Sequence, residues 1–88
     1  MSAPVITLYG RPGCHLCEEA LAQLRPIASA YGAKIEEVNI DLDDVLLLRM
    51  LERIPVIELA GEELCELWVD PPAVHAALTA ASARPQPS

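Results

Sequence analysis

Two cysteines with two residues between them, Cys14-His15-Leu16-Cys17, are the side chains best suited to chemistry in this 88-residue chain. Cysteines at that spacing can share one helical turn, close enough for their sulfurs to bond with little backbone movement. The pair follows an apolar, β-branched run, Val5-Ile6-Thr7-Leu8-Tyr9, and a glycine-containing turn from Gly10 to Gly13. A helical pattern opens directly after it. Cys14 is therefore expected at a helix start, where unpaired N–H groups and about half a positive charge favour thiolate over thiol. Cys17, one turn further in, is expected to be more buried and to stay protonated until needed. That asymmetry describes an attacking and a resolving thiol. Glu18 and Glu19 stand within a turn of Cys17 and oppose thiolate formation, partly offsetting the helix dipole.

Other readings of the pair are weaker. A structural zinc site needs four ligands, and outside the pair only Cys65, His15 and His75 are available, so no metal site is expected. Two merely buried cysteines would not require this spacing or a helix-start position. A Cys-x-x-Cys ahead of a helix in a βαβ context is a redox signature.

The elements that must position the pair follow from periodicity. The first run reads as a central strand covered on both faces. Leu16, Ala20, Leu24, Ile27 and Tyr31 then recur at helical spacing, with Glu18, Glu19, Gln23 and Arg25 on the other side. Pro26 inside that helix removes a donor and is expected to kink it, and Gly32 closes it. Ile35 to Ile40 reads as a second strand, with Val38 and Ile40 on one face and a pattern diluted by Glu36 and Glu37. Asp41 or Asp43 caps a helix through Val45–Leu51. Pro55 to Leu59 forms a third strand, and the turn at Gly61 leads into a fourth, Glu63 to Glu66. Asp70 caps a last helix with Pro71 in its first position, and Val69 and Val74 are spaced as a hydrophobic staple. Val74, Leu78 and Ala81 form its buried stripe. The order βαβαββα implies an α/β fold with both sheet faces covered and parallel pairing of the first two strands.

Composition narrows the function. Hydrophobic residues make up 52% and charged residues 22%, a globular profile that excludes intrinsic disorder. Only one domain fits this length, spanning residues 1–82, with 83–88 expected as a disordered tail containing two prolines. Aromatic residues are 3% and Phe is absent, so Leu, Ile, Val and Ala must build the core. Six basic against thirteen acidic side chains give a net charge of −7, which argues against nucleic acid and anionic membrane surfaces. The start, Met1-Ser2-Ala3-Pro4, lacks the basic segment and apolar stretch of a secretory signal, so a cytoplasmic location is expected. In that reducing compartment the cysteines are not expected to be structural staples. A monomer is the expected state.

The stretch from Leu8 to Cys17, with Arg53-Ile54-Pro55-Val56 further on, resembles the glutaredoxin branch of the thioredoxin superfamily, and within it the small bacterial glutaredoxin-like proteins with a Cys-His-Leu-Cys start. The likeness covers about residues 4 to 81. It implies the thioredoxin/glutaredoxin fold, a four-stranded mixed sheet flanked by three helices, and thiol–disulfide exchange with Cys14 nucleophilic and Cys17 resolving. It also implies a cis bond before Pro55, with Ile54 offering its backbone to a bound thiol substrate. Arg11 stands where glutathione-using members usually have Lys, so it is a candidate partner for a glutathione carboxylate, or else a solvated surface residue. His15 could stabilise the thiolate or a leaving thiol, or simply be solvated. Asp70 matches the family's acidic position at a helix start, but Glu66 and Leu67 replace the glycine pair before it, and Asp70 could equally serve as a helix cap alone.

The expected activity is thus that of a dithiol oxidoreductase acting on a protein or small-molecule disulfide. No bound cofactor is expected, and glutathione or a thioredoxin-type reductase would supply electrons. The alternatives are an iron–sulfur or metal-binding glutaredoxin-like protein and a non-catalytic thioredoxin-fold interaction module. Cys65 reads as a small apolar filler, Trp68 as cover for the core near the last helix, and His75 as a residue without a partner.

Overall fold

A computed structural model describes residues 3–83 of the chain. Strand β1 (Val5–Gly10) leads into helix α1 (His15–Tyr31), then β2 (Lys34–Asn39), one 3-10 turn (Ile40–Leu42) and helix α2 (Asp44–Met50). Strands β3 (Val56–Leu59) and β4 (Glu62–Glu66) and helix α3 (Pro71–Ala83) complete it. The four strands form one mixed sheet in the order β2-β1-β3-β4. β1 pairs parallel with β2, from Val5↔Lys34 to Gly10↔Asn39, and antiparallel with β3, from Ile6↔Leu59 to Tyr9↔Val56. The expected α/β order is present, with parallel pairing of the first two strands.

Strand alternation sorts the core into two layers. Ile6, Leu8, Ile57 and Leu59 point to one face and meet Leu24, Ala28, Val74 and Leu78 from α1 and α3. Tyr9 and Val56, of opposite parity, turn to the other face, where they meet Ile40 and Met50. β2 is an edge strand, and its Lys34, Glu36 and Glu37 are exposed. Charged side chains on a sheet edge discourage pairing with another chain, which accounts for the diluted pattern there.

Several boundaries and packing assignments differ from the sequence reading. β2 ends at Asn39, whose side chain accepts the Asp41 N–H at 2.9 Å, so Ile40 opens the 3-10 turn and is not a strand residue. Asp43, not Asp41, caps α2 through bonds from Val45 and Leu46. The buried stripe of α1 is Cys17, Ala20, Leu24 and Ala28; Leu16 is turned outward, 49% exposed. α1 runs unbroken through Pro26 to Gly32, whose φ of 65° supplies the left-handed cap. Trp68 does not cover the core; it is 67% exposed. His75 does have a partner, because the Tyr31 hydroxyl lies 3.0 Å from its Nδ1 and 3.2 Å from Thr79 Oγ1, joining α1 to α3 at the surface. α3 includes Ala83, the first residue of the expected tail, and 84–88 lie outside the described residues. Val69 and Val74 are both buried in one cluster, as a staple requires.

Candidate active site

The site grows out of the end of β1. Gly10 is its last residue, and a Cβ placed there would stand 3.0 Å from Cys17 Sγ and 3.1 Å from its Cβ. Only glycine lets the strand pass so close to the second cysteine. Arg11 to Gly13 then turn the chain, Gly13 taking a φ of 78°. The Cys14 N–H donates to the Arg11 carbonyl at 3.3 Å. Cys14 itself is the N-cap of α1, extended at φ −86° and ψ 107°, and its Sγ accepts the Cys17 N–H at 3.2 Å. The sulfur thus occupies the place where a capping oxygen normally sits, at the positive end of the helix.

The two sulfurs lie at disulfide distance, with Cα atoms 5.2 Å apart, inside the range that bridged cysteines adopt. Their surroundings differ as anticipated. Cys17 is 8% exposed and belongs to the cluster of Ile40, Met50, Ile54 and Val56, while Cys14 packs against it from the partly open side. The same cluster carries Ile54, whose N–H donates to the Met50 carbonyl at 3.0 Å. The Ile54–Pro55 peptide is cis, and Pro55 is buried. The Pro55 carbonyl accepts the Leu67 N–H at 2.8 Å, tying this loop to the end of β4. Arg53 adds a second tie: its guanidinium bridges Glu63 and, at 2.7 Å, Glu66. These carboxylates hold its pKa above the ordinary value.

Cys14, Cys17, Ile54 and Pro55 are therefore brought to one end of the sheet. The remaining candidates are engaged elsewhere. Arg11 Nε lies 3.1 Å from Asp41 Oδ1, linking the loop before Cys14 to the 3-10 turn. His15, its side chain 80% exposed, pairs through Nε2 with Glu19 Oε1 at 3.2 Å and makes no bond to Cys14. Asp70 precedes α3 and its carbonyl accepts the Val74 N–H at 3.1 Å, the bond expected of a capping position. Among the described residues no three His, Cys, Asp or Glu side chains are grouped to hold a metal ion. A cleft of about 390 Å³ opens beside the pair, against Gly10, Arg11, Cys17, Glu18, Glu37 and Asn39.

Two features escaped the sequence reading. The requirement for Gly10 was signalled by a glycine ending a buried strand immediately before the motif. Leu67 and Trp68, exposed beside the loop, were signalled by an apolar pair between the acidic end of β4 and the cap of α3. Leu67 holds a φ of 70°, a left-handed backbone that a bulky residue rarely takes and glycine takes freely.

Cys65 stands apart from the pair, partly buried against the core under α3. Burial pushes its thiol above the ordinary value, only partly countered by a bond from the Asp70 backbone. A raised folded-state pKa contributes stability that is fully present below the unfolded thiol value and is lost as pH rises through the folded one. Urea unfolding of Cys65→Ala is accordingly expected to lose less stability between pH 8 and pH 10, roughly one pH unit either side of an ordinary thiol titration, than the parent protein does. An identical alkaline slope in both would refute this. Iodoacetamide is also expected to label Cys65 after Cys14 in the reduced protein.

Residues 5–79 match the family model of the glutaredoxin-like domain (DUF836). The solution structure of protein Ne2328 from Nitrosomonas europaea is similar at 33% identity, covering 88% of this chain and 93% of that one, with a TM-score of 0.78. The X-ray structure of protein XcR50 from X. campestris shares 37% identity over 85% of this chain and 96% of that one, with a TM-score of 0.68. A malarial protein at 16% identity, covering 94% of this chain and 100% of that one, shares the fold with a TM-score of 0.63. No curated protein matches the chain. The sheet order, the cysteine pair at the head of α1 and the match over nearly the whole described chain agree, and the chain belongs to the glutaredoxin-like (DUF836) family.

Proposed function

We propose that the protein is a thiol–disulfide oxidoreductase working through the Cys14/Cys17 dithiol. The observation that carries this is the placement of two sulfurs at disulfide distance, one capping a helix and the other buried behind it. In the reduced protein the α1 N-terminus and the Cys17 N–H stabilise a Cys14 thiolate. That thiolate attacks one sulfur of a substrate disulfide, forming a mixed disulfide and expelling the other sulfur as a thiolate, which takes up a proton. Cys17 then gives up its proton and attacks Cys14 Sγ. The substrate leaves as its second thiol and the Cys14–Cys17 bond closes. Two electrons have passed to the substrate, and a thiol donor, glutathione or a thioredoxin-type reductase, returns them. Ile54 and Pro55 form the wall against which the substrate sulfur is presented.

Arg11 and Asp70 are assigned supporting places: Arg11 fixes the loop before Cys14 through Asp41, and Asp70 starts α3. Direct contact of either with a glutathione carboxylate would require Arg11 to leave Asp41, or the ligand to reach α3 past Glu66 and Leu67. On this reading the protein acts as a monomer in the cytoplasm; the net charge of −7 disfavours nucleic acid and anionic membrane surfaces, and among the described residues no helix is long and apolar enough to cross a membrane.

Equilibration in a series of glutathione redox buffers, followed by alkylation and mass spectrometry of each cysteine, tests the reading. A reversible Cys14–Cys17 bond is expected, with Cys65 remaining free. Cysteines that stay reduced and independent in every buffer would refute it and favour a non-catalytic interaction module.

A further inference from the structure

Beside the cysteine pair lies an exposed apolar surface that the exchange chemistry leaves unused. Leu16, inside the motif, and Leu67 and Trp68, after β4, line a shallow recess of about 40 Å³ together with Glu19. Leu67 is hydrogen-bonded through its N–H to Pro55, so this surface adjoins the proposed substrate wall. Trp exposed to this degree, among other apolar side chains, is uncommon on an isolated surface and common where a partner docks. The recess is far below the volume of a typical small-ligand pocket, about 300–1,000 Å³, and suits part of one apolar side chain.

Carboxylates outnumber cations around it. Glu19 lines the recess, and Glu66 and Asp70 flank the Leu67–Val69 segment in sequence, while Arg53, whose carbonyl accepts the Leu67 N–H at 3.1 Å, is shared between Glu63 and Glu66. The cations nearest in sequence to the motif and to Ile54–Pro55 are committed: Arg11 to Asp41, and Arg53 to both Glu63 and Glu66. Glutathione brings two carboxylates and would have to compete with Asp41 for Arg11, or with Glu63 and Glu66 for Arg53. A peptide carrying an apolar residue and positive charge beside its cysteine would meet complementary surface.

Resting on the oxidoreductase reading above, we propose that the Leu16–Leu67–Trp68 surface selects peptide or protein disulfides whose cysteine is flanked by an apolar residue and by cations, in preference to glutathione. The first exchange step forms a bond from Cys14 Sγ to the peptide sulfur and breaks the peptide's own disulfide, whose other sulfur leaves with the electron pair. In the parent protein, closure by Cys17 releases the peptide thiol and leaves the Cys14–Cys17 disulfide for a thiol donor to reduce; the first step alone consumes only the reduced Cys14 thiolate and needs no added reductant.

The test uses the full chain with Cys17→Ser, so that only the first step is read, and three mixed disulfides of thionitrobenzoate, whose release is coloured. The probes are a capped Lys-Leu-Cys-Leu-Lys peptide, glutathione and the small neutral thiol 2-mercaptoethanol. The peptide is expected to react fastest and glutathione slowest, with the peptide's advantage shrinking as salt rises. Adding Trp68→Ala is expected to lower the peptide-to-neutral rate ratio about tenfold, the scale of losing one interfacial aromatic anchor. Equal rates for peptide and glutathione, or a ratio indifferent to both salt and Trp68, would overturn the proposal while leaving the oxidoreductase reading intact. Failure of all three probes would overturn that reading as well. A dimer in sedimentation that Trp68→Ala dissolves would assign the surface to a second copy and also overturn it.

Discussion

Cys14→Ser is expected to abolish disulfide reduction, by at least about 1,000-fold, because a serine hydroxyl at neutral pH has neither the thiolate charge nor its nucleophilicity. The geometry makes the effect asymmetric between the two cysteines. Cys14 caps the helix and receives the Cys17 N–H, so the stabilised anion forms there. Cys17 is buried among Ile40, Met50, Ile54 and Val56, where an anion is disfavoured and an incoming disulfide has little access. Cys17→Ser should therefore keep the first attack at close to the parent rate and accumulate a mixed disulfide on Cys14, visible as an intact-mass adduct that a dithiol removes. Stopped-flow release of thionitrobenzoate reads the attack, and mass spectrometry reads the adduct. Full activity in Cys14→Ser, or equal loss of the first step in both variants, would exclude this division of labour.

Local chemistry was legible in the sequence wherever one segment fixed its own conformation. Cys14 at the start of α1, the Gly32 cap and Pro71 opening α3 follow from short-range spacing and capping preferences, and the parallel β1–β2 pair from the strand–helix–strand order, whose crossover rule holds whatever the side chains. What was not legible depends on residues distant in the chain. The inner face of α1 is set by where Ala28 and Leu24 meet α3, and that rotation turns Leu16 outward although its spacing fits a buried stripe. Trp68 reads as core by its size. It is exposed while Val69 beside it is buried, in a turn where the Leu67 N–H bonds to the Pro55 carbonyl and Leu67 takes a left-handed backbone, a long-range tie that residue size does not signal. Arg11 reads as a free cation until the 3-10 turn brings Asp41 to it across thirty positions of sequence, the separation being read directly from their numbers. Ion pairs between such partly exposed groups are individually weak, on the order of 0–1 kcal/mol, so no local signal marks them.

Gly10→Ala carries the second large effect, because it touches the resolving cysteine without touching the attacking one. The added methyl would sit 3.0 Å from Cys17 Sγ, nearer than an ordinary van der Waals contact, and the sulfur is backed by a closed cluster that includes Ile40 and Val56, both fully buried. Cys17 must shift or β1 must bend, and overpacking of this kind typically costs about 1–3 kcal/mol. A sulfur displaced by a few tenths of an ångström also loses alignment with Cys14 Sγ, so closure of the bridge is expected to slow by about tenfold or more, since exchange demands a near in-line approach of three sulfurs. Gly61→Ala separates the two consequences. Gly61 lies in the β3–β4 turn at a φ of 82° with no atom near its added methyl, so its cost of roughly 1–2 kcal/mol is one of backbone strain far from the pair. If both variants lose similar stability in urea but only Gly10→Ala accumulates mixed disulfide, the strand end acts on the second step of exchange. If both accumulate it equally, slow closure reflects a loosened fold, and the close approach of Gly10 to Cys17 has no part in the chemistry.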